Sequence, residues 1–308
     1  MKYLVTGGAG FIGSNIVEEL IKRGESVRVL DNFSTGKREN LNEFEGDIEL
    51  VEGDVRSYHI VQQSVKGVDV ILHQAALPSV PRSIIDPITT NEVNIGGTLN
   101  MLDAAVKEGV KRFVFASSSS VYGDNPELPK HERMITNPLS PYAVSKLAGE
   151  NYCRVFSSLY NLETVCLRYF NVFGPRQDPN SQYSAVIPKF IKSINNNQRP
   201  IIYGDGEQTR DFTYVANVVE ANILASLKNN NGKHLVANCA CSEQISLNEL
   251  VKSISLIAQK DIKPIYEEKR KGDILNSFAC IDTIKDLLGF RPLVTFKDGL
   301  SETFKKIS

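Results

Sequence analysis

Residues 3–6, Tyr-Leu-Val-Thr, run directly into Gly7-Gly8-Ala9-Gly10-Phe11-Ile12-Gly13, and apolar residues of helical period follow at once over 12–22. A strand that ends in glycines and re-emerges as a helix leaves few folds open. Gly7 permits the tight turn, Gly10 lets the main chain approach a pyrophosphate, and Gly13 allows the helix to pack closely on the strand. The helix N-terminus then faces the phosphates.

The same alternation continues. Runs over 27–31, 48–51, 70–73, 113–117 and 164–169 read as strands, and 57–65, 91–108 and 142–159 read as helices, the last with Pro141 at its start. This is an α/β chain with a doubly wound parallel sheet, a Rossmann layout. Beyond about residue 170, Gly174-Pro175, Asp178-Pro179-Asn180 and Gly204-Asp205-Gly206 interrupt shorter elements. The expected organisation is a dinucleotide-binding domain over 1–170 and a smaller α/β substrate-binding domain over 171–308. A helix within 215–232 is expected to return to the first domain.

Charge excludes some partners. Thirty-five basic against 36 acidic residues leave a formal charge of −1, so no field over the whole molecule attracts nucleic acid or an anionic membrane. An anionic ligand must be held by local groups. Cys153, Cys166, Cys239, Cys241 and Cys280 form no CxxC pair, so no metal site is expected and a reduced, cytoplasmic protein fits best. No apolar run approaches the ~20 residues of a membrane span, and the N-terminus has no leader pattern.

Asp31 ends the second strand, where a carboxylate accepts hydrogen bonds from the adenosine ribose and repels a 2′-phosphate. NAD is therefore favoured over NADP, although Lys37 and Arg38 nearby weigh the other way. Asn32 adjoins it, and Asp54-Val55, just past the third strand, are candidates to contact the adenine. A glycine turn with Asp31 serving only as a helix cap is the alternative.

Tyr142-Ala-Val-Ser-Lys146 carries the chemistry. On a helix, i and i+4 share a face, so the phenol and the ammonium are neighbours. A free tyrosine, with pKa ~10, is a poor base at neutral pH, and nearby positive charge favours the phenolate. Tyr142 can then take a proton from an alcohol while hydride leaves the same carbon. The strand over 113–117 ends in Ser117-Ser118-Ser119-Ser120-Val121-Tyr122-Gly123, whose hydroxyls can orient that alcohol or merely cap the strand.

With these motifs, and the GxxGxxG spacing, the chain resembles the extended short-chain dehydrogenase/reductases over nearly its whole length. It is similar above all to the UDP-galactose and UDP-N-acetylglucosamine 4-epimerases. The resemblance implies Ser118 beside Tyr142 and Lys146 as catalytic residues, with Ser119 as a second sugar contact. It implies that Phe11, Ile12, Ala75, Ala76, Asn94 and Tyr169 join the cofactor site, Asn94 by supporting the active-site helix and its lysine. Arg210, Arg270, Asp273 and Asn171 match positions that hold the nucleoside diphosphate. Ser277 matches a position that is bulky Tyr in relatives restricted to unacetylated sugars. Ser79, Arg82 and Ala185 lie in segments that resemble the branch preferring N-acetylhexosamines.

Related 4,6-dehydratases carry Thr-Asp-Glu in the turn that here reads Ser118-Ser119-Ser120, and UDP-glucuronate decarboxylases carry a Glu there. Lacking those acids, the chain is expected to be an NAD-dependent 4-epimerase of UDP-N-acetylglucosamine and UDP-N-acetylgalactosamine, passing through a 4-keto sugar. UDP-glucose and UDP-galactose are possible further substrates. The alternatives are a dehydratase or decarboxylase on a nucleotide-sugar, or a silent NAD-binding protein. A homodimer through helices 91–108 and 142–159 is implied by the family alone.

Overall fold

In a computed structural model the chain is described over residues 1–178, 186–228, 233–269 and 276–307. β1 (Lys2–Thr6), α1 (Phe11–Lys22), β2 (Ser26–Asp31), β3 (Ile48–Glu52), α2 (Tyr58–Val65) and β4 (Val70–His73) are followed by α3 (Val80–Ile85) and α4 (Pro87–Asn91). Then come α5 (Gly97–Lys107), β5 (Arg112–Ser118), α6 (Pro141–Tyr160) and β6 (Glu163–Tyr169). The strands form one parallel sheet. Its order, β6-β5-β4-β1-β2-β3, reverses between β4 and β1, so the loops leaving those two strands diverge and open a crevice at the carboxyl ends.

Both faces of the sheet are covered, which is why its strands read as continuous apolar runs. Tyr3, Val5, Val70, Leu72 and Val114 face α1, whereas Leu4, Ile71, Phe113 and Phe115 belong to a second core with α2, α5 and α6. The one-residue alternation of strand side chains sorts them.

The remainder comprises β7 (Val172–Phe173), α7 (Val186–Asn195), β8 (Ile201–Tyr203), β9 (Thr209–Arg210), β10 (Thr213–Tyr214), α8 (Val215–Leu227) and β11 (Leu235–Cys239). β12 (Ile245–Ser246), α9 (Leu247–Ile257), β13 (Ile265–Glu267), β14 (Asn276–Ser277), α10 (Asp282–Leu288) and α11 (Phe296–Ile307) complete it. α8 packs on α1, and β11 pairs in parallel with β6 as the seventh strand of the sheet. That strand is not evident in the sequence, because its five residues, Leu-Val-Ala-Asn-Cys, hold a buried Asn238 and show no clean period. α7, α9 and α11 pack together, and their apolar side chains continue the α1-side core without a break.

A second difference from the sequence reading lies over 91–108. The expected single helix is α4, a π turn over Glu92–Gly96, and α5. π turns of this kind cluster at functional sites, and this one carries Asn94. No helix among the described residues is long and apolar enough to cross a membrane.

Candidate active site

The crevice is a cavity of about 710 Å³. Gly7, Gly10, Phe11, Ile12 and Gly13 line one side. Gly7 has φ +67, and a Cβ there would lie 2.8 Å from the Ala75 amide nitrogen. At Gly13 a Cβ would lie 2.1 Å from the Gly7 carbonyl oxygen, so the helix approaches the turn as only glycine allows. No side chain caps α1, and the N–H groups of its first turn are left for a ligand. These residues fit the pyrophosphate of a dinucleotide.

Asp31 and Asn32 line the same cavity, with Ser34, Thr35 and Gly36 beside them. The Asp31 carboxylate is buried and already accepts hydrogen bonds from the Ala9 and Phe33 amides, at 2.9 and 2.8 Å. Burial raises its pKa while those amides pull it down. Lys37 pairs with Asp178 at 3.2 Å, and Arg38 pairs with Glu52 while its guanidinium lies 4.0 Å from the Phe33 ring centroid. Both cations that favoured a 2′-phosphate are thus engaged by carboxylates. Asp54 and Val55 line the cavity too, but Asp54 is held by Arg56 and Asn32, and the Arg56 guanidinium lowers its carboxyl to about 2. Its oxygens are largely committed within the protein.

At the other end lie Ser118, Ser119, Tyr142 and Lys146. α6 begins well defined: Ser140 Oγ accepts from the Ala143 amide at 3.2 Å and Pro141 occupies the first turn. The helix carries Tyr142 and Lys146 on the side facing β5. Lys146 is buried, donates to the Ala116 carbonyl at 2.8 Å, and sits 5.9 Å from the Tyr142 ring centroid. Burial lowers its pKa to about 8. Ser118 accepts from the Ser120 amide at 3.2 Å, which caps the following turn, and also hydrogen-bonds the Tyr142 phenol.

One expectation is corrected here. Tyr142 opens on the cleft, yet burial raises its pKa, with the Ser118 hydrogen bond pulling the other way. The Lys146 ammonium is turned toward a carbonyl, so the pair by itself does not yield the phenolate. Asn94, expected to support the active-site helix, is buried behind the cavity wall and does not line it. Its amide bonds the Leu77 N–H at 2.8 Å and the Ser145 hydroxyl at 3.0 Å, so it holds two walls of the cleft together.

Ala75, Ala76, Tyr169, Ser79, Arg82 and Asn171 complete the expected residues on the cavity wall. Ser79 N-caps α3, accepting from the Arg82 amide at 3.1 Å, and Tyr169 bonds Gln74 and Asn222. Asn171 also lines an adjoining cavity of about 320 Å³, walled by Arg210, Phe173, Phe190, Tyr203 and Phe212 among others. The two spaces therefore share a wall. Ser277 stands opposite Arg210 in the β9–β14 pairing. Ala185, Arg270 and Asp273 lie outside the described residues.

Sequence reasoning passed over Glu150 and Arg168. Arg168 Nε and Nη2 reach the two Glu150 oxygens at 2.8 and 2.7 Å, both side chains are buried, and the Ser117 hydroxyl donates to Glu150 at 2.5 Å. The pair ties α6 to the ends of β5 and β6. The signal was present, since Glu150 continues the four-residue spacing of Tyr142 and Lys146.

The model of the NAD dependent epimerase/dehydratase family matches residues 3–240. The UDP-N-acetylglucosamine 4-epimerase of Methanobrevibacter ruminantium M1, solved in complex with UDP-N-acetylmuramic acid, is 43% identical, with a TM-score of 0.94 over 99% of this chain and 97% of that one. The UDP-glucose 4-epimerase of Thermotoga maritima, solved with UDP-glucose, is 37% identical with a TM-score of 0.94 over 99% and 98%. The UDP-glucose 4-epimerase of Mycolicibacterium smegmatis is 36% identical over 312 residues, 98% of this chain and 97% of that protein.

Proposed function

This chain belongs to the NAD dependent epimerase/dehydratase family, and from that membership we propose that it inverts C4 of a UDP-sugar, with UDP-N-acetylglucosamine and UDP-N-acetylgalactosamine as its substrates. The observation that carries the reading is the meeting of Ser118, Tyr142 and Lys146 at one end of the cleft whose other end is the glycine cradle. NAD, when bound, supplies the acceptor and donor of a hydride at C4.

The protein's own groups do the rest. Tyr142 accepts the proton of the O4 hydroxyl and returns it after the ketone has turned over. Ser118 orients that oxygen, and the Lys146 ammonium, 5.9 Å from the phenol ring centroid, together with the positive nicotinamide of bound NAD would favour the phenolate over the neutral phenol. Among the described residues the cleft's acidic lining consists of Asp31, Asp54 and Asp178, and none stands in the 118–120 turn. Elimination of water needs an acid and a base there, which favours simple inversion over dehydration.

Asn171 and Arg210 are suited to the diphosphate, Arg210 as a cation able to form paired hydrogen bonds. Ser277, opposite Arg210 in the β9–β14 pairing, is small where the resemblance implies a Tyr in relatives restricted to unacetylated sugars, which favours acetylated sugars. Purified protein given UDP-N-acetylglucosamine and no added cofactor should form UDP-N-acetylgalactosamine without steady growth of absorbance at 340 nm. Net NADH accumulation sinks the epimerase reading; equal or better turnover of UDP-glucose sinks the substrate preference.

We also propose a homodimer. Val144, Val155 and Leu159 form an exposed apolar stripe on α6, and Ile84, Ile85 and Ile88 extend it on the neighbouring α3 and α4. Sedimentation should give a dimer that Leu159→Glu converts to a monomer; a monomeric wild type would remove the proposal.

A further inference from the structure

His73, at the end of β4, is fully buried and belongs to neither the cleft wall nor the chemistry above. Its ring packs against Phe113 and Phe115, with centroids 5.4 and 6.0 Å away. A phenylalanine would fill such a space, so the two nitrogens need another reason. Nδ1 lies 2.7 Å from Thr6 Oγ1 and Nε2 lies 3.1 Å from Thr98 Oγ1.

The hydrogens can be assigned by counting donors. The Thr98 hydroxyl spends its one hydrogen on the Asn94 carbonyl, at 2.6 Å, so toward His73 it can only accept. Nε2 therefore carries the ring proton. Nδ1 is bare and accepts from the Thr6 hydroxyl, whose oxygen accepts from the Ala75 amide at 3.2 Å. From Asn94 the string continues: its side chain donates to Ser145 Oγ, at 3.0 Å, and Ser145 donates to the Tyr142 carbonyl, at 2.7 Å.

We infer that His73, as the neutral Nε2–H tautomer, is a positioning residue that sets the glycine turn and the catalytic helix relative to one another through Thr6, Thr98, Asn94 and Ser145. Thr6 immediately precedes Gly7, and Ser145 lies between Tyr142 and Lys146. The string thus begins where the cofactor would be held and ends on the backbone of the proposed base. A charged ring has no place in it. An Nδ1–H would oppose the Thr6 donor, and the Lys146 ammonium, 5.1 Å from the centroid of the Phe115 ring that His73 stacks on, disfavours a second positive charge. Burial first, and Lys146 second, lower the His73 pKa to about 3, in keeping with a neutral ring.

The inference rests on the proposed reaction only for its effect on rate, and the tautomer can be read without turnover. In NAD-loaded protein with His59, His131 and His234 replaced by Gln, leaving His73 alone, nitrogen NMR should show a protonated Nε2, a bare Nδ1, and no titration between about pH 5 and 8. A bare Nε2, or a ring that titrates in that interval, overturns the assignment. Thr98→Val keeps the side-chain volume and cuts the string. It should lower kcat by roughly 10-fold to 10²-fold, the scale of a small misplacement, with KM for the UDP-sugar almost unchanged, and Thr98→Ser should restore the rate. An unchanged kcat in the valine variant, or a loss confined to KM, overturns the positioning role. A correct tautomer in a protein that epimerises nothing would sink the proposed function alone.

Discussion

Replacing Tyr142 with Phe should lower kcat by about 10²-fold to 10⁴-fold, the usual contribution of a general acid–base group, and leave NAD bound. The ring keeps its place on α6; what disappears is the hydroxyl, together with its hydrogen bond to Ser118. One such bond contributes only about 1 kcal/mol to stability, so the melting temperature should barely move. The rate changes far more because the O4 proton then loses its proposed acceptor. The expected loss is about 3–5 kcal/mol of transition-state stabilisation. Measured with saturating UDP-sugar, activity within a few-fold of the parent would show that another group is the base.

Arg168→Met should have the largest effect on stability. The Arg168 and Glu150 side chains are only 5% and 6% exposed, so the substitution strands a carboxylate in a site built for an ion pair. Breaking a buried pair from one side costs about 3–5 kcal/mol, which for a chain of this size is a melting shift of roughly 10 °C. Removing both charges, with Arg168→Met and Glu150→Gln together, should recover much of that loss, because no unpaired charge remains. The cycle tests the claim directly. Equal destabilisation in the single and double variants would mean that packing of Arg168 over the Tyr122 ring, 4.7 Å from its centroid, matters more than the charge. Since Glu150 also receives the Ser117 hydroxyl and lies one turn beyond Lys146, the single variant should lose activity as well.

The parallel sheet was legible because compact apolar runs such as β1, β4 and β5 alternate with helices of clear period. β11 was not, since a short edge strand with a buried asparagine carries no such pattern. The π turn at Glu92–Gly96 was equally hidden, for its residues keep a helical period and only the backbone bonding changes. Asn94 shows the same limit at the site. The resemblance assigned it to supporting the active-site helix, but which groups it would bridge, the Leu77 amide and the Ser145 hydroxyl, depends on a turn that the pattern does not encode.

The charge state of the catalytic pair shows where local reasoning stops. Spacing alone places Tyr142 and Lys146 on one face of a helix, and that is how they stand. It does not say where the ammonium points. Lys146 is drawn to the Ala116 carbonyl because α6 lies close against β5, and burial then moves both pKa values away from the expected pairing.

The sequence by itself determined the strand, glycine turn and helix, the Asp31 that ends the second strand, and the Tyr142 and Lys146 spacing, because each depends on residues near one another along the chain. It took the folded sheet to bring Arg168 to Glu150, to let Thr6, His73 and Thr98 share two protons, and to stand Asn171 between two cavities. Those contacts join residues far apart in sequence. Their energies come from burial and from the satisfaction of polar groups cut off from water, which arise only once the sheet has closed over them.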